Sequence, residues 1–250
     1  MSDSAGVPWE GRTFEHGPAS DDDGSAPPAL LLALGLFRNG ELGEAQVVDA
    51  IRDSRLLIPL VANLGDSGTG AHGHTVDKSA ELSIVTVAGP DGRNVMPVFS
   101  SVEAMRLWKP LARPVPADAV RVALAAASEG TELVVLDPTS PTEFVIRRPA
   151  LWAIAQAQPW IPSYLDAGLL DEFRASVQTE PAVASVSLEP GDADARLAGP
   201  ELVVLLALLP GLARGELDAL LARLQAQWTA SEAIAARVDS LAVKLGTAGQ

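Results

Sequence analysis

No cysteine occurs in the 250 residues, which removes disulfides, thiolate nucleophiles and cysteine-bound metals together. Histidine is almost as scarce, with 3 in all, and aromatic residues make up 4% of the chain. A histidine-based catalytic triad therefore has few residues to draw on: His16 stands in an acidic N-terminal segment, and His72 and His74 in a glycine-rich stretch. Long apolar runs are missing as well. The strongest, residues 202–209, is much shorter than the ~20 residues a membrane helix needs. Pro200 and Pro210 bracket it, so it reads as a buried strand. The opening Met-Ser-Asp-Ser-Ala-Gly has neither a basic nor an apolar targeting region, and with no cysteine the expected setting is cytoplasmic. Positive charge is short too. Against 32 Asp and Glu stand 18 Lys and Arg, a net charge of −14 that repels nucleic-acid backbones and anionic lipid, so neither nucleic acid nor a membrane is an expected partner.

What is present is aliphatic. Hydrophobic residues make up 48% of the chain, enough to bury a core. They are mostly Ala, Leu and Val, which suit small interlocking α+β layers better than an aromatic-lined ligand cavity.

Residues 1–29 form an acidic Gly/Pro/Ser-rich segment whose composition reads as a flexible tail. Helical spacing follows at 29–37 (Leu30, Leu34, Phe37) and 44–53 (Val47, Val48, Ile51), then an apolar strand at 55–62 in which Pro59 argues for a sheet edge or bulge. Residues 63–80 are polar and Gly-rich and read as a loop. The next strand, with Leu82, Ile84, Val85 and Val87, runs through an Asp91-Gly92 turn and pairs back over 95–99. Ser100 or Ser101 caps a helix carrying Val102, Met105 and Trp108. Residues 113–118, with Pro114 and Pro116, read as a lead-in to a second helix that stops at Gly130. Two strands, 133–136 and 144–146, and a helix from 150 complete this half.

The order Glu81-Leu-Ser-Ile-Val-Thr-Val, Pro90-Asp-Gly-Arg93, Met96 to Trp108, then Glu132 to Pro138 and Glu143 to Pro149, resembles the N-terminal domain of the SseB family. Gly11-Arg12 and Asp22-Asp23-Gly24-Ser25 are similar to the leading segment of actinobacterial members, which implies that Trp9 and Phe14 pack on the domain. Beyond a Pro-rich linker at 158–164, the chain reads as helix (165–177), strand (182–188), strand (202–209), a firm amphipathic helix (Leu217, Leu220, Leu221, Leu224, Trp228) and a closing strand (241–245). That order resembles the second domain of many SseB-like proteins. The expected architecture is α+β: two small domains, 30–157 and 165–246, each a mixed or antiparallel sheet covered by helices. The family takes its name from an enhanced serine-sensitivity phenotype, and the resemblance implies no catalytic reaction.

His72 and His74 with Asp66 and Asp77 are too few and too loosely framed for a metal site, so no metal is expected. Gly65-Asp-Ser-Gly-Thr-Gly70 lacks the Gly-Lys-Ser/Thr ending of a phosphate-binding loop, and no cofactor is expected. Asp171-Glu172 and Glu189 with Asp192 stand where solvated charge belongs. Arg93, Arg113, Arg121, Arg147 and Arg148 are notable in so acidic a chain, because a planar guanidinium grips carboxylates in a fixed fork. Arg93, Arg147 and Arg148 are the candidate ligand-binding residues. The expected function is a non-enzymatic protein-interaction or regulatory module with a protein partner. The alternative is a sensor or weak enzyme for an amino acid or other carboxylate held by those arginines.

Overall fold

The computed structural model describes residues 22–63 and 81–248. Asp66, His72, His74, Asp77, the 65–70 glycine-rich stretch, and Trp9, Gly11, Arg12 and Phe14 lie outside the described residues. The architecture is α+β, with eight helices and three sheets among the described residues.

Two helices open the fold, α1 (Pro28–Arg38) and α2 (Glu44–Arg52), each with one buried stripe: Leu30, Ala33 and Leu34 on α1, Val47, Val48 and Ile51 on α2. β1 (Arg55–Asn63) follows and is the centre of its sheet, flanked by β2 (Glu81–Ile84) and β5 (Arg113–Asp118), both antiparallel. Pro59 therefore does not mark an edge. Leu57 exchanges backbone bonds with Phe99 at 2.8 and 2.9 Å, and β2 pairs only from Leu60 onward, so the missing N–H of Pro59 falls in the gap between two partners. Across from it stands Pro114, in a strand whose prolines hid it in the sequence.

The strand expected over 82–87 is also divided. β2 stays with β1, and β3 (Val87–Ala88) turns through Gly92, whose φ of +82° few other residues adopt, to pair with β4 (Asn94–Val98). β4 then runs parallel to β6 (Val134–Leu136), which pairs antiparallel with β7 (Phe144–Ile146). Between them lie α3 (Val102–Trp108), capped by Ser101 Oγ accepting from Ala104 N–H at 3.0 Å, and α4 (Ala119–Ser128), capped by Asp118 accepting from Arg121 N–H at 2.8 Å. α5 (Arg148–Ala155) begins directly after β7, so Arg147 is its N-cap residue and Arg148 its first, ahead of the helix start expected at 150. Helices α1, α2, α4 and α5 close over one face of the β4-β6-β7 sheet and β1 to form the main core.

The C-terminal half begins with a 3-10 turn, Ser163–Leu165, and α6 (Ala167–Val177). Its sheet has β9 (Leu202–Leu208) at the centre, antiparallel to β8 (Val183–Pro190) and parallel to β10 (Leu241–Thr247). The parallel crossover is made by α7 (Arg214–Ala230) and α8 (Glu232–Arg237). Alternate residues Leu202, Val204 and Leu206 of β9 bury against Leu169, Phe173, Leu220, Leu224 and Trp228, so the amphipathic stripe of α7 covers its own sheet. Trp228 stacks edge-on to Phe173 at 5.2 Å and donates its Nε1–H to Ser176 Oγ at 2.8 Å. Among the described residues no helix is long and apolar enough to cross a membrane.

Candidate functional site at the seam between the halves

The loop between β8 and β9 leaves its own sheet and plugs the N-terminal half. Leu197 enters the far face of the β4-β6-β7 sheet and buries against Val95, Leu133, Val135 and Val145. Ala195 extends that sheet's open edge, its carbonyl accepting from Val145 N–H at 2.8 Å. Both residues have positive φ, 48° at Ala195 and 58° at Leu197, a strained backbone held by the surrounding bonds. Asp192 supplies most of them. Its carboxylate accepts from the backbone N–H groups of Leu197 at 2.7 Å and of Arg196 and Ala198 at 3.3 Å each. The loop's two ends meet where Gly191 N–H donates to Glu201 O at 3.0 Å.

The three arginines singled out by type do come together here. Arg93 forms a two-pronged pair with Asp239, Nη1 to Oδ1 and Nη2 to Oδ2 both at 2.9 Å, and its Nε donates to Asp91 at 2.6 Å. Arg147, its side chain only 8% exposed, donates to Asp192 at 2.6 Å and Gly199 O at 2.8 Å, and to Asp239 and Ser240 Oγ at 3.3 Å each. Arg148 lies over the Trp152 ring at 4.9 Å and caps the end of α8, donating to the carbonyls of Ala235 at 2.7 Å and of Val238. All three grasp the corner between α8 and β10, so their acceptors belong to this chain. Arg113 and Arg121 lie elsewhere, on β5 and α4.

Asp192, read from the sequence as a solvated turn carboxylate, is buried because Arg147 and three backbone amides replace water around it. Asp239 is likewise buried. Burial raises its pKa, but the Arg93 hydrogen bonds and the charges of Arg93 and Arg147 outweigh that and hold it below the ordinary aspartate range.

Beside this network lies a small, partly open cavity of about 10 Å³, lined by the half-buried Glu44, Arg147, Trp160, Asp192, Ala195 and Glu201 among others. Glu201 is 7% exposed; its Oε2 accepts from Asp239 N–H at 2.5 Å, and its Oε1 has no hydrogen-bond partner among the described residues. Burial pushes its pKa up. The Ser163 hydroxyl is close enough to offset part of that cost, yet closes no hydrogen bond to it. Burial, followed by the neighbouring Glu201, pushes the Glu44 carboxyl up to about 7. Neither glutamate was flagged by the sequence. Glu44 looks like an ordinary first-turn acid of an amphipathic helix, and the only hint at Glu201 is a charge abutting the apolar run of β9.

A second concavity, an open groove of about 1000 Å³, runs between α1, α3 and the β6–β7 loop and is lined by Leu31, Ser101, Leu107, Trp108, Pro138 and Pro141 among others. Asp137, at φ 46°, shapes it from beneath. It accepts from Ser100 N–H at 2.8 Å, Ser100 Oγ at 2.6 Å and Thr142 Oγ1 at 2.8 Å. Leu107 is 81% exposed on the groove wall, and Leu111, four residues on in the chain and outside the groove lining, is 89% exposed. Among the described residues no group of three His, Asp or Glu side chains is placed to hold a metal ion.

No curated protein and no solved structure matches the chain. Residues 30–153 match the family model of the SseB protein N-terminal domain, which spans α1 to α5 and contributes Arg93, Arg147 and Arg148 to the seam. Through that domain the chain belongs to the SseB family.

Proposed function

We propose that this SseB family member is a cytosolic, non-enzymatic interaction module that binds a partner protein along the groove between α1, α3 and the β6–β7 loop. The observation that carries the reading is the placement of Leu107 and Leu31, large apolar side chains left in water on the wall of the groove. The chain's net charge of −14, with Asp23 and Glu103 against the single Arg106 on the groove, favours a segment that combines apolar side chains with net positive charge. The arginines give less support to a carboxylate sensor. Their hydrogen-bonding forks are spent on Asp91, Asp192, Asp239 and backbone carbonyls, and the adjoining cavity is far below the ~300 Å³ at the small end of ligand pockets.

A tagged pull-down with mass-spectrometric identification, run for the wild type and for Leu31→Asp/Leu107→Asp, tests the reading. One near-stoichiometric partner lost in the double variant, with its melting temperature unchanged, supports it. A partner retained by the variant, or none, overturns it. Stabilisation by an amino acid or organic acid in a thermal-shift screen, abolished by charge reversal at Arg147 and Arg148, would favour the sensor instead.

A further inference from the structure

We infer that the seam is a proton-operated latch: while the halves are docked, Glu44 and Glu201 share the water-sized cavity around one bound proton, and loss of that proton loosens the seam.

Among the described residues the geometry at the seam sets more acids than the cations bonded to them. Glu44, Asp91, Asp192, Glu201 and Asp239 gather around Arg93 and Arg147. Arg93 is taken by Asp91 and Asp239, and both terminal nitrogens of Arg147 by Asp192, Gly199, Asp239 and Ser240. None of those bonds goes to Glu44 or to Glu201 Oε1. The groups facing Glu44 are Glu201 at the start of β9, Asp192 in the β8–β9 loop, Arg147 at the head of α5, and Tyr164 in the 3-10 turn. Burial, with Glu44 beside it, pushes the Tyr164 hydroxyl up to about 12, so it brings no charge of its own. Two carboxylates lining one small, largely buried cavity, with no cation hydrogen-bonded to either among the described residues, cannot both stay ionised cheaply. One proton on the pair relieves their mutual repulsion, and the cavity's volume of about 10 Å³ is about that of one water able to relay a hydrogen bond to Glu201 Oε1. Burial and Glu201 together place the ionisation of Glu44 at about 7, within the range a cell visits.

The sign follows from linkage. Below the ordinary glutamate range the docked and opened forms both hold the proton. As pH rises the opened form sheds it first, and docking weakens until Glu44 itself ionises in the docked form. The stability that the proton lends the seam is thus complete below the ordinary glutamate range, is lost progressively as pH rises, and is gone above about 7.

Hydrogen exchange on the full chain, corrected for intrinsic base catalysis, reads the latch directly. Val145 N–H, bonded to Ala195 O, and Asp239 N–H, bonded to Glu201, report the seam, and Met96 N–H, bonded to Leu133 O, reports the N-terminal core. Protection at the two seam amides is expected to fall by up to about tenfold per pH unit between pH 5 and 7, more than at Met96, and then level off. Glu44→Gln is expected to shrink that fall, and Glu44→Gln/Glu201→Gln to abolish it. Carbon-13 NMR titration of the wild-type Glu44 carboxyl does not depend on any variant folding, and a midpoint near 7 is expected. A midpoint in the ordinary glutamate range, seam protection that does not vary with pH, or a Glu44→Gln variant with the wild-type fall would each overturn the latch.

Discussion

Arg93 and Asp239, separated by 146 positions in the chain, are joined by two parallel hydrogen bonds of 2.9 Å. Their side chains differ in environment, 39% exposed for Arg93 and 1% for Asp239. The pair anchors the turn between β3 and β4 to the corner between α8 and β10.

The unequal burial predicts unequal costs. Asp239→Ala takes one acceptor from both Arg93 and Arg147, which keep Asp91 and Asp192, and is expected to cost about 1.5–3 kcal/mol, the range for hydrogen bonds to charged groups. Arg93→Ala leaves Asp239 with Arg147 and Ser240 and is expected to cost less. Urea unfolding of both single variants and the double variant measures the difference and the coupling between the pair.

Asp239 also predicts the acid side of the stability profile. Its folded pKa lies below its unfolded value, so its contribution is complete above the ordinary aspartate range and is lost as pH falls through the depressed value. Melting temperature should drop steeply below about pH 4. Asp239→Asn is expected to flatten that limb while lowering stability throughout.

Gly199→Ala is expected to destabilise the seam by about 1–3 kcal/mol, the range for overpacking. A Cβ there would lie 2.5 Å from Gly191 O, a backbone atom that can yield only if the β8–β9 loop shifts. Since Gly199 O accepts from Arg147, the shift is transmitted to the arginine. Chemical denaturation, with hydrogen exchange at Val145, distinguishes local loosening from global loss.

Asp137→Ala removes a buried acceptor of three hydrogen bonds and is expected to cost about 2–4 kcal/mol, because Ser100 and Thr142 are left with donors to re-satisfy. By contrast Leu107→Asp, at an exposed position, should change stability by no more than about 0.5 kcal/mol. Thermal melts of the two variants test both statements.

Periodicity and capping residues placed α1, α2, α4 and α7 close to where they lie, and the apolar run between Pro200 and Pro210 was legible as the buried central strand β9. β5 was not, because Pro114 and Pro116 look like turn residues until β1 is seen beside them. Pro59 misled for the same reason: whether a missing N–H matters depends on which neighbour faces it. Residue type singled out Arg93, Arg147 and Arg148 along with Arg113 and Arg121, but not which of them meet at the seam. Their acceptors, Asp192 and Asp239, were indistinguishable in the sequence from other surface acids.

From its sequence alone the chain is an α+β protein of aliphatic core and strong negative charge, because hydrophobic spacing and charge count are local properties of the chain. The tertiary structure decided that the three arginines hold the protein's own α8–β10 corner, that Leu197 closes the far face of a sheet, and that Glu44 and Glu201 meet in one small cavity. Those are long-range pairings, and a carboxylate's ionisation depends on the groups packing brings around it, which its position in the chain does not specify.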